Sequence, residues 1–194
     1  MKTHTTPANH APRSILILHS SIDGHTQAIC ERLQRTFHDK GINVTLLPLQ
    51  DFSPAGHDPE LVVIGASIRY GHHRPALARL LQQHVCWLAR RRQAFFSVCL
   101  TARKPGKASP EGNAYVRRFL KNTGWQPEPC AVFAGKLDYA RYRPLDRLMI
   151  RLIMHMTGGP TDPATCVSYT DWQAVEQFAQ ACLVRGDTPE SIAR

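Results

Sequence analysis

Residues 14–26 read Ser14-Ile15-Leu16-Ile17-Leu18-His19-Ser20-Ser21-Ile22-Asp23-Gly24-His25-Thr26 and decide the fold. An unbroken apolar run gives way to hydroxyl residues and a glycine, and a helical pattern begins directly after them. A buried parallel strand ends in this way when it delivers backbone N–H groups and hydroxyls to an anion at a helix N-terminus. The loop from Ser20 to Thr26 contains neither Lys nor Arg. The pattern predicts a bound phosphate monoester, with an ordinary strand-to-helix turn as the alternative.

Asp23 is the one acidic residue of this loop. A carboxylate is unfavourable beside a phosphate, so we expect the Asp23 side chain to point outward and cap the following helix. Sequence motifs of other phosphate sites, GxxxxGK[ST] and GxGxxG after a strand, are absent.

Strand and helix patterns alternate along the rest of the chain. Five strands separated by helices predict an α/β fold with a doubly wound, five-stranded parallel sheet, in which ligands bind at the carboxyl ends of the strands. Further strands are predicted at 43–49, 61–67, 93–100 and 130–135, and helices after Pro75, at 111–122 and at 171–184. The segment 166–170 is predicted to be the second half of strand five, and residues 136–162 form an insertion between its halves.

Two more loops leave the carboxyl ends of predicted strands. The loop Ser67 to His72 holds Tyr70 next to Gly71, and Tyr70 is able either to stack on a planar ring or merely to cover the sheet edge. The loop Thr101 to Lys107 is cationic. If this loop lies beside the planar ring that Tyr70 stacks on, its positive charges would favour an anionic reduced form of that ring. The alternative is that the loop is a solvated basic turn.

The insertion contains a basic amphipathic helix. Its polar stripe repeats every four residues, and Gly158-Gly159-Pro160 ends the pattern. The stripe consists of Arg143, Arg147, Arg151 and His155, and the apolar face of Leu145, Leu148, Met149, Leu152, Ile153 and Met156. Such a helix can lie in an anionic membrane interface, clamp an amphipathic anion, or pack on the sheet with a wet basic side.

The chain is basic and has the composition of a globular domain. Lys plus Arg number 24 against 15 acidic residues, and the segment 61–110 has nine basic residues and no acidic one. This surface favours an anionic partner, whether nucleic acid, anionic lipid or a carboxylate-bearing substrate. Hydrophobic residues make up 43%, but no apolar run approaches the ~20 residues that span a bilayer.

Neither the ends of the chain nor its cysteines show a sequence motif for catalysis or ligand binding. Residues 1–13 lack the apolar segment of a signal peptide, so we predict a disordered extension there, a folded domain over 14–185 and a tail over 186–194. The six cysteines have no CxxC spacing and are expected to be free thiols, and the ten histidines show no metal-ligand spacing, so no metal is predicted.

Several motifs together carry a resemblance to a known family. The first loop and the split strand five are similar to the long-chain flavodoxin fold, which binds FMN. The longer motifs resemble the flavodoxin-type, quinone-dependent protoporphyrinogen IX dehydrogenases of bacterial haem biosynthesis, over about Ser14 to Leu183. Those motifs are Gly65-Ala66-Ser67-Ile68-Arg69-Tyr70-Gly71-His72, Ala102-Arg103-Lys104-Pro105, the run 141–154 and Tyr169-Thr170-Asp171-Trp172.

The resemblance implies an oxidation of protoporphyrinogen IX by FMN, with electrons passed to menaquinone or ubiquinone, at the cytoplasmic face of the inner membrane. It implies that the FMN phosphate is held by Ser20, Ser21, Ile22, Asp23, Gly24, His25 and Thr26. It implies that the isoalloxazine ring is bordered by Ser67, Ile68, Arg69, Tyr70, Gly71, Leu100, Thr101, Ala102 and Arg103. Contact with the substrate or with an anionic membrane surface is assigned to Arg143, Arg147, Arg151 and His155. No catalytic acid or base is identified, because the cofactor supplies the chemistry.

Two other functions stay open at this stage. The nearer one is a flavodoxin-like NAD(P)H:quinone reductase or electron carrier, although carrier flavodoxins are acidic and this chain is basic. The other is a cofactor-free module that binds nucleic acid through its basic surface, for which base-reading motifs are missing. We therefore expect no nucleic-acid partner.

Overall fold

The structure is a computed structural model that describes residues 11–184. Its strands are β1 (Ser14–Ser20), β2 (Asn43–Pro48), β3 (Leu61–Arg69), β4 (His72–His73), β5 (Arg92–Cys99), β6 (Cys130–Ala134), β7 (Lys136–Asp138) and β8 (Cys166–Ser168). Its helices are α1 (His25–His38), α2 (Pro75–Gln83), α3 (Val85–Leu88), α4 (Ala114–Thr123), α5 (Pro144–Met156) and α6 (Trp172–Leu183). Most of the predicted extension and all of the predicted tail lie outside the described residues.

The main sheet has the order β2-β1-β3-β5-β6, and all five strands are parallel. One face packs against α1 and α6 through residues such as Leu33, Phe37 and Phe178. The other face packs against α2, α3 and α4, with Leu77 and Val116 among the buried side chains. The predicted doubly wound parallel sheet is therefore confirmed.

Strand β3 lies at the centre because both of its faces are apolar. Leu61 to Ala66 are buried, and a Cβ at Gly65 would overlap the ring of Phe96 on the neighbouring strand. Glycine at this position lets the large Phe96 ring fill the core beside β3. Because β1, β3 and β5 are neighbouring parallel strands, their carboxyl ends meet at one edge of the sheet.

The structure differs from the predicted elements at three places. The 166–168 segment does not extend strand five; it pairs antiparallel with β7 in a separate two-stranded sheet, because the chain reverses through the insertion. The helix after Pro75 breaks at His84, whose backbone leaves helical geometry at φ −117° and ψ 23°. The short β4 was not predicted, and it forms a hairpin with the end of β3.

His73 anchors this hairpin in the core. Its Nε2 lies 2.9 Å from the Ser97 hydroxyl, and its ring lies 4.5 Å from that of Phe119. Burial lowers the pKa of His73 from its ordinary 6.5 to about 4. The folded protein thus holds His73 neutral at pH values where the unfolded chain has already protonated it.

Because of this difference in pKa, the stability of the folded protein decreases as the pH falls. As the pH falls from 6.5 towards 4, the unfolded state gains a proton that the folded state does not, so stability is lost. Replacing His73 with Gln removes the titration. We expect the wild type to lose about 1 kcal/mol more than H73Q between pH 6.5 and 5.5 in urea unfolding. Equal losses in the two proteins would contradict the burial of a neutral imidazole.

Candidate active site

A cavity of about 580 Å³ lies at the carboxyl ends of β1, β3 and β5. The structure brings the three loops predicted from the sequence together around it. The predicted residues in its lining are Ser21, Ile22, Asp23, His25, Thr26, Ser67, Ile68, Arg69, Tyr70, Gly71, Leu100, Thr101 and Arg103. Ser20 and Ala102 are instead buried in the core, and Gly24 lies outside the lining.

The first loop presents a set of unpaired backbone donors. Gly24 adopts φ +83° at the N-cap of α1, and its N–H donates to the Ser21 hydroxyl at 3.1 Å. Within residues 11–184, no acceptor bonds the N–H groups of residues 22, 23, 25, 26 and 27. These donors, together with the hydroxyls of Ser21 and buried Thr26, converge on the positive end of the α1 dipole. This arrangement fits a phosphate group.

Asp23 does not cap α1, which corrects the expectation from the sequence. Among the residues that the structure describes, no side chain caps this helix, and the Asp23 carboxylate accepts a hydrogen bond from Arg69 at 3.3 Å. The cation attracts the carboxylate away from the helix N-terminus and so keeps its charge off the N–H groups. Burial raises the pKa of Asp23, although Arg69 opposes this shift.

A hydrogen bond with Thr170 fixes the tautomer of His25. The Thr170 hydroxyl donates to the carbonyl of Ala134 at 2.7 Å, and its oxygen lies 2.6 Å from His25 Nε2. Because the hydroxyl proton is already used, Nε2 carries the hydrogen and donates to Thr170. Burial, and then the charge of Lys136, lower the pKa of His25. The imidazole is therefore neutral at neutral pH, with Nδ1 left as an acceptor.

The second loop places an aromatic ring at the cavity. Tyr70 has a positive φ of 52°, a conformation that is uncommon for a residue with a side chain. Its hydroxyl donates to the Asp146 carboxylate, and this hydrogen bond is the main reason that the pKa of Tyr70 is raised. Beside it, the Arg69 guanidinium lies 5.6 Å from the centre of the Tyr142 ring.

The insertion closes one side of the cavity with apolar side chains. Helix α5 buries Ile150 and Met154 in a third hydrophobic cluster with Leu137, Tyr139 and Tyr142. Its residues in the cavity lining are Met149, Ile150, Ile153 and Met154, followed by Thr157. The predicted contact residues Arg143, Arg147, Arg151 and His155 are not part of this lining. The basic stripe of the helix thus lies away from the cavity.

Polar contacts at both ends of α5 fasten the insertion to the loops. At its start, Asp146 accepts from Tyr70 and lies 3.6 Å from an Arg69 nitrogen. At its end, Arg103 donates to the Thr157 hydroxyl at 3.0 Å and to the Leu100 carbonyl at 3.1 Å. The position of the apolar wall therefore depends on side chains from the second and third loops.

Replacing Asp146 with Asn should loosen the start of α5. The change removes the negative charge that faces Arg69 and weakens a hydrogen bond to Tyr70, which together contribute about 1 kcal/mol at this partly buried position. We expect amide hydrogens of residues 147–150 to exchange about fivefold faster by mass spectrometry, while those of α1 keep their rate. Unchanged exchange in α5 would show that its apolar contacts alone hold it.

Other lining residues were not predicted from the sequence. Tyr115 and Arg118 come from α4, Lys136 from β7 and Tyr142 from the insertion. Tyr115 and Arg118 are three residues apart, so they lie on the same side of α4, which is the available signal in the sequence. The lining contains four cations, Arg69, Arg103, Arg118 and Lys136, against the single carboxylate of Asp23. The cavity therefore favours an anionic ligand.

The fold and this site define the class of the protein as a flavodoxin-like flavoprotein. Residues 16–164 match a family model described as a flavodoxin domain. The flavodoxin of Streptococcus pneumoniae TIGR4 superposes with a TM-score of 0.50 at 13% identity, covering 87% of this chain and 97% of that one. At this identity the superposition shows the fold alone, whereas the matching domain indicates a flavin cofactor.

The chain belongs to the family of flavodoxin-domain protoporphyrinogen IX dehydrogenases (quinone). It is 44% identical over 175 residues to the protein of that name from Escherichia coli strain K12, covering 90% of this chain and 97% of the relative. It is 42% identical over 174 residues to the protein of that name from Leishmania major, covering 89% of this chain and 75% of the relative. The family resemblance stated from the sequence motifs is confirmed.

Proposed function

We propose that this protein oxidises protoporphyrinogen IX to protoporphyrin IX, with FMN as its flavin and a respiratory quinone as the electron acceptor. The name of its relatives states that substrate and that class of acceptor. The observation that carries the proposal is the cavity itself, because it combines unpaired N–H donors, an aromatic loop and an apolar wall in one space.

The first loop is proposed to bind the phosphate of FMN. The N–H groups of Ile22, Asp23, His25 and Thr26 and the Ser21 hydroxyl supply donors without any cation in the loop itself. Ser67 to Gly71 and Leu100 to Arg103 are proposed to border the isoalloxazine ring. Arg103 brings a positive charge to that border, which would stabilise a negatively charged ring.

The cavity walls are proposed to orient the porphyrinogen. A bound flavin would supply the electron transfer from porphyrinogen to quinone, and the six electrons and six protons removed from one porphyrinogen would reduce three quinones to quinols. The chain's own residues hold the reactants in position and keep water out, with Met149 and Ile153 facing the apolar macrocycle. No side chain is assigned as a catalytic acid or base.

The surface of α5 supports contact with a membrane. Leu145, Leu148, Leu152 and Met156 follow one line along the helix and are 79%, 66%, 55% and 77% exposed. We call these four residues the apolar strip. Arg143, Arg147, Arg151 and His155 recur beside it, as in helices that lie in an anionic interface. We propose that this face binds the cytoplasmic side of the inner membrane, where the quinone is dissolved.

None of the helices in residues 11–184 is both long enough and apolar enough to cross a membrane.

An anaerobic turnover assay tests the proposed function. The FMN-loaded protein is mixed with protoporphyrinogen IX and a soluble menaquinone or ubiquinone analogue, and porphyrin fluorescence is followed. Fluorescence that increases only when both quinone and protein are present is the expected result. Failure of the FMN-loaded protein to form porphyrin, combined with rapid quinone reduction by NAD(P)H, would instead identify an NAD(P)H:quinone reductase.

A further inference from the structure

We propose that Arg118 anchors a carboxylate of the porphyrinogen, while the apolar side chains of α5 in the same cavity hold the macrocycle. This inference rests on the proposed function and adds the residue that orients the substrate. Neither the sequence motifs nor the family resemblance pointed to Arg118.

Helix α4 places Arg118 at the edge of the second loop. Tyr115, one turn earlier on α4, packs on that loop so closely that a Cβ at Gly71 would lie 3.0 Å from the Tyr115 ring. Both Tyr115 and Arg118 line the cavity, whereas their neighbour Arg117 does not. Arg118 therefore borders the same space as Tyr70 and Gly71.

The other cations of the lining are already engaged by protein groups. Arg69 pairs with Asp23 and Asp146, and Lys136 lies 3.0 Å from Asp138. Arg103 donates to the Leu100 carbonyl and to Thr157. In the part of the chain that the structure describes, the Arg118 side chain has no hydrogen bond or ion pair. Its guanidinium keeps its full set of donors for a ligand, and it matches a carboxylate in a bidentate geometry.

Arg118 comes from a different element than the first loop, which holds the proposed phosphate donors. The first loop follows β1 and α4 follows β5, with β3 lying between the two strands. Because neighbouring strands are about 4.8 Å apart, the carboxyl ends of β1 and β5 lie roughly 10 Å apart across the sheet. Arg118 therefore offers the cavity a cation from outside the first loop, where the phosphate donors lie.

The apolar side chains of α5 in the same lining decide which anion suits this position. Met149 and Ile153 project from α5 into the lining and are only partly covered by protein, at 48% and 42% exposure. A ligand that spans from these side chains to Arg118 needs an apolar body and a charged end. A porphyrinogen has both, since its macrocycle is apolar and its two propionates are carboxylates.

The test compares R118Q with R117Q, a matched loss of charge one residue away and outside the lining. The substrates are protoporphyrinogen IX and its dimethyl ester, in which both carboxylates are blocked. Loss of one charge-assisted hydrogen bond should raise KM for the diacid about tenfold in R118Q, with kcat changed less than about twofold. KM for the ester should be the same in R118Q and wild type, and R117Q should behave as wild type with both substrates.

Direct binding separates this inference from the proposed function. Titration with protoporphyrin IX, followed through its fluorescence, should show about tenfold weaker binding to R118Q and no difference for the dimethyl ester. Equal binding of the diacid by R118Q and R117Q would overturn the role of Arg118, even if turnover is observed. An equal loss with the ester would also overturn it, since the effect would then be structural. Absence of quinone-dependent turnover in wild type would overturn the proposed function instead.

Discussion

Replacing Ser21 with Asp is expected to weaken FMN binding about 300-fold or more. The new carboxylate would lie among the N–H groups that are proposed to bind the phosphate, within about 5 Å of a group with nearly two negative charges. At an effective dielectric constant of 20, each pair of like charges at that distance costs about 3 kcal/mol before relaxation. The turn should survive, because a carboxylate oxygen can accept the Gly24 N–H bond that the Ser21 hydroxyl accepts now.

Riboflavin, which lacks the phosphate, provides the control for this variant. Flavin fluorescence quenching measures both affinities, and S21D should lose FMN affinity while its affinity for riboflavin changes less than about threefold. S21A serves as the matched variant without a charge, and it should lose only about tenfold in FMN affinity, as expected for one hydrogen bond to a charged group. If S21D bound FMN as well as S21A does, the phosphate would have to bind elsewhere.

The double variant L148Q/L152Q is expected to weaken membrane binding about 50-fold. Both leucines belong to the apolar strip and have more than half of their surface exposed. Burying such a leucine in a bilayer interface contributes on the order of 1–2 kcal/mol, so the two together contribute about 2–4 kcal/mol. The measurement is the partition coefficient in sedimentation with vesicles of phosphatidylglycerol and phosphatidylcholine.

Val85 provides a matched control outside α5, since it is an apolar side chain with 59% exposure on α3. V85Q should bind vesicles as the wild type does. Turnover of L148Q/L152Q with a water-soluble quinone analogue should stay near the wild-type rate, because neither leucine lines the cavity. Undiminished sedimentation of L148Q/L152Q would show that α5 is not the membrane contact.

The sequence sufficed to predict the main sheet because each strand carries its own signal. The runs at Ser14 to Ser20 and at Leu61 to Ser67 are apolar and end in polar loops, so the parallel sheet and the position of the site follow from general rules for such sheets. The path of the 166–168 segment could not be read in the same way. A three-residue strand has no pattern that distinguishes pairing with β7 from joining the main sheet.

The orientation of α5 could not be predicted because the helix has apolar residues on more than one side. Ile150 and Met154 are buried, Met149 and Ile153 face the cavity, and Leu148 is exposed. The four-residue repeat of basic side chains predicted that the basic stripe contacts substrate or membrane. In the structure, apolar residues of α5 form the cavity wall instead. Only the tertiary contacts of the insertion decide between these faces.

Contacts between residues far apart in the sequence could not be predicted either. The partner of Asp23 is Arg69, 46 residues away, and nothing local favours that ion pair over an N-cap. Arg118 is one of two adjacent arginines on α4, and its place in the lining depends on the packing of α4 against the second loop. Such residues become visible only when the fold brings their elements to one cavity.

The central claim is that a flavin in this cavity carries electrons from a porphyrinogen to a quinone. Its most direct test is the visible absorbance of the flavin-loaded protein under strict anaerobiosis. Addition of protoporphyrinogen IX should bleach the flavin as porphyrin forms, and subsequent addition of quinone should restore the absorbance. A flavin that NADPH bleaches but protoporphyrinogen IX leaves oxidised would contradict the claim.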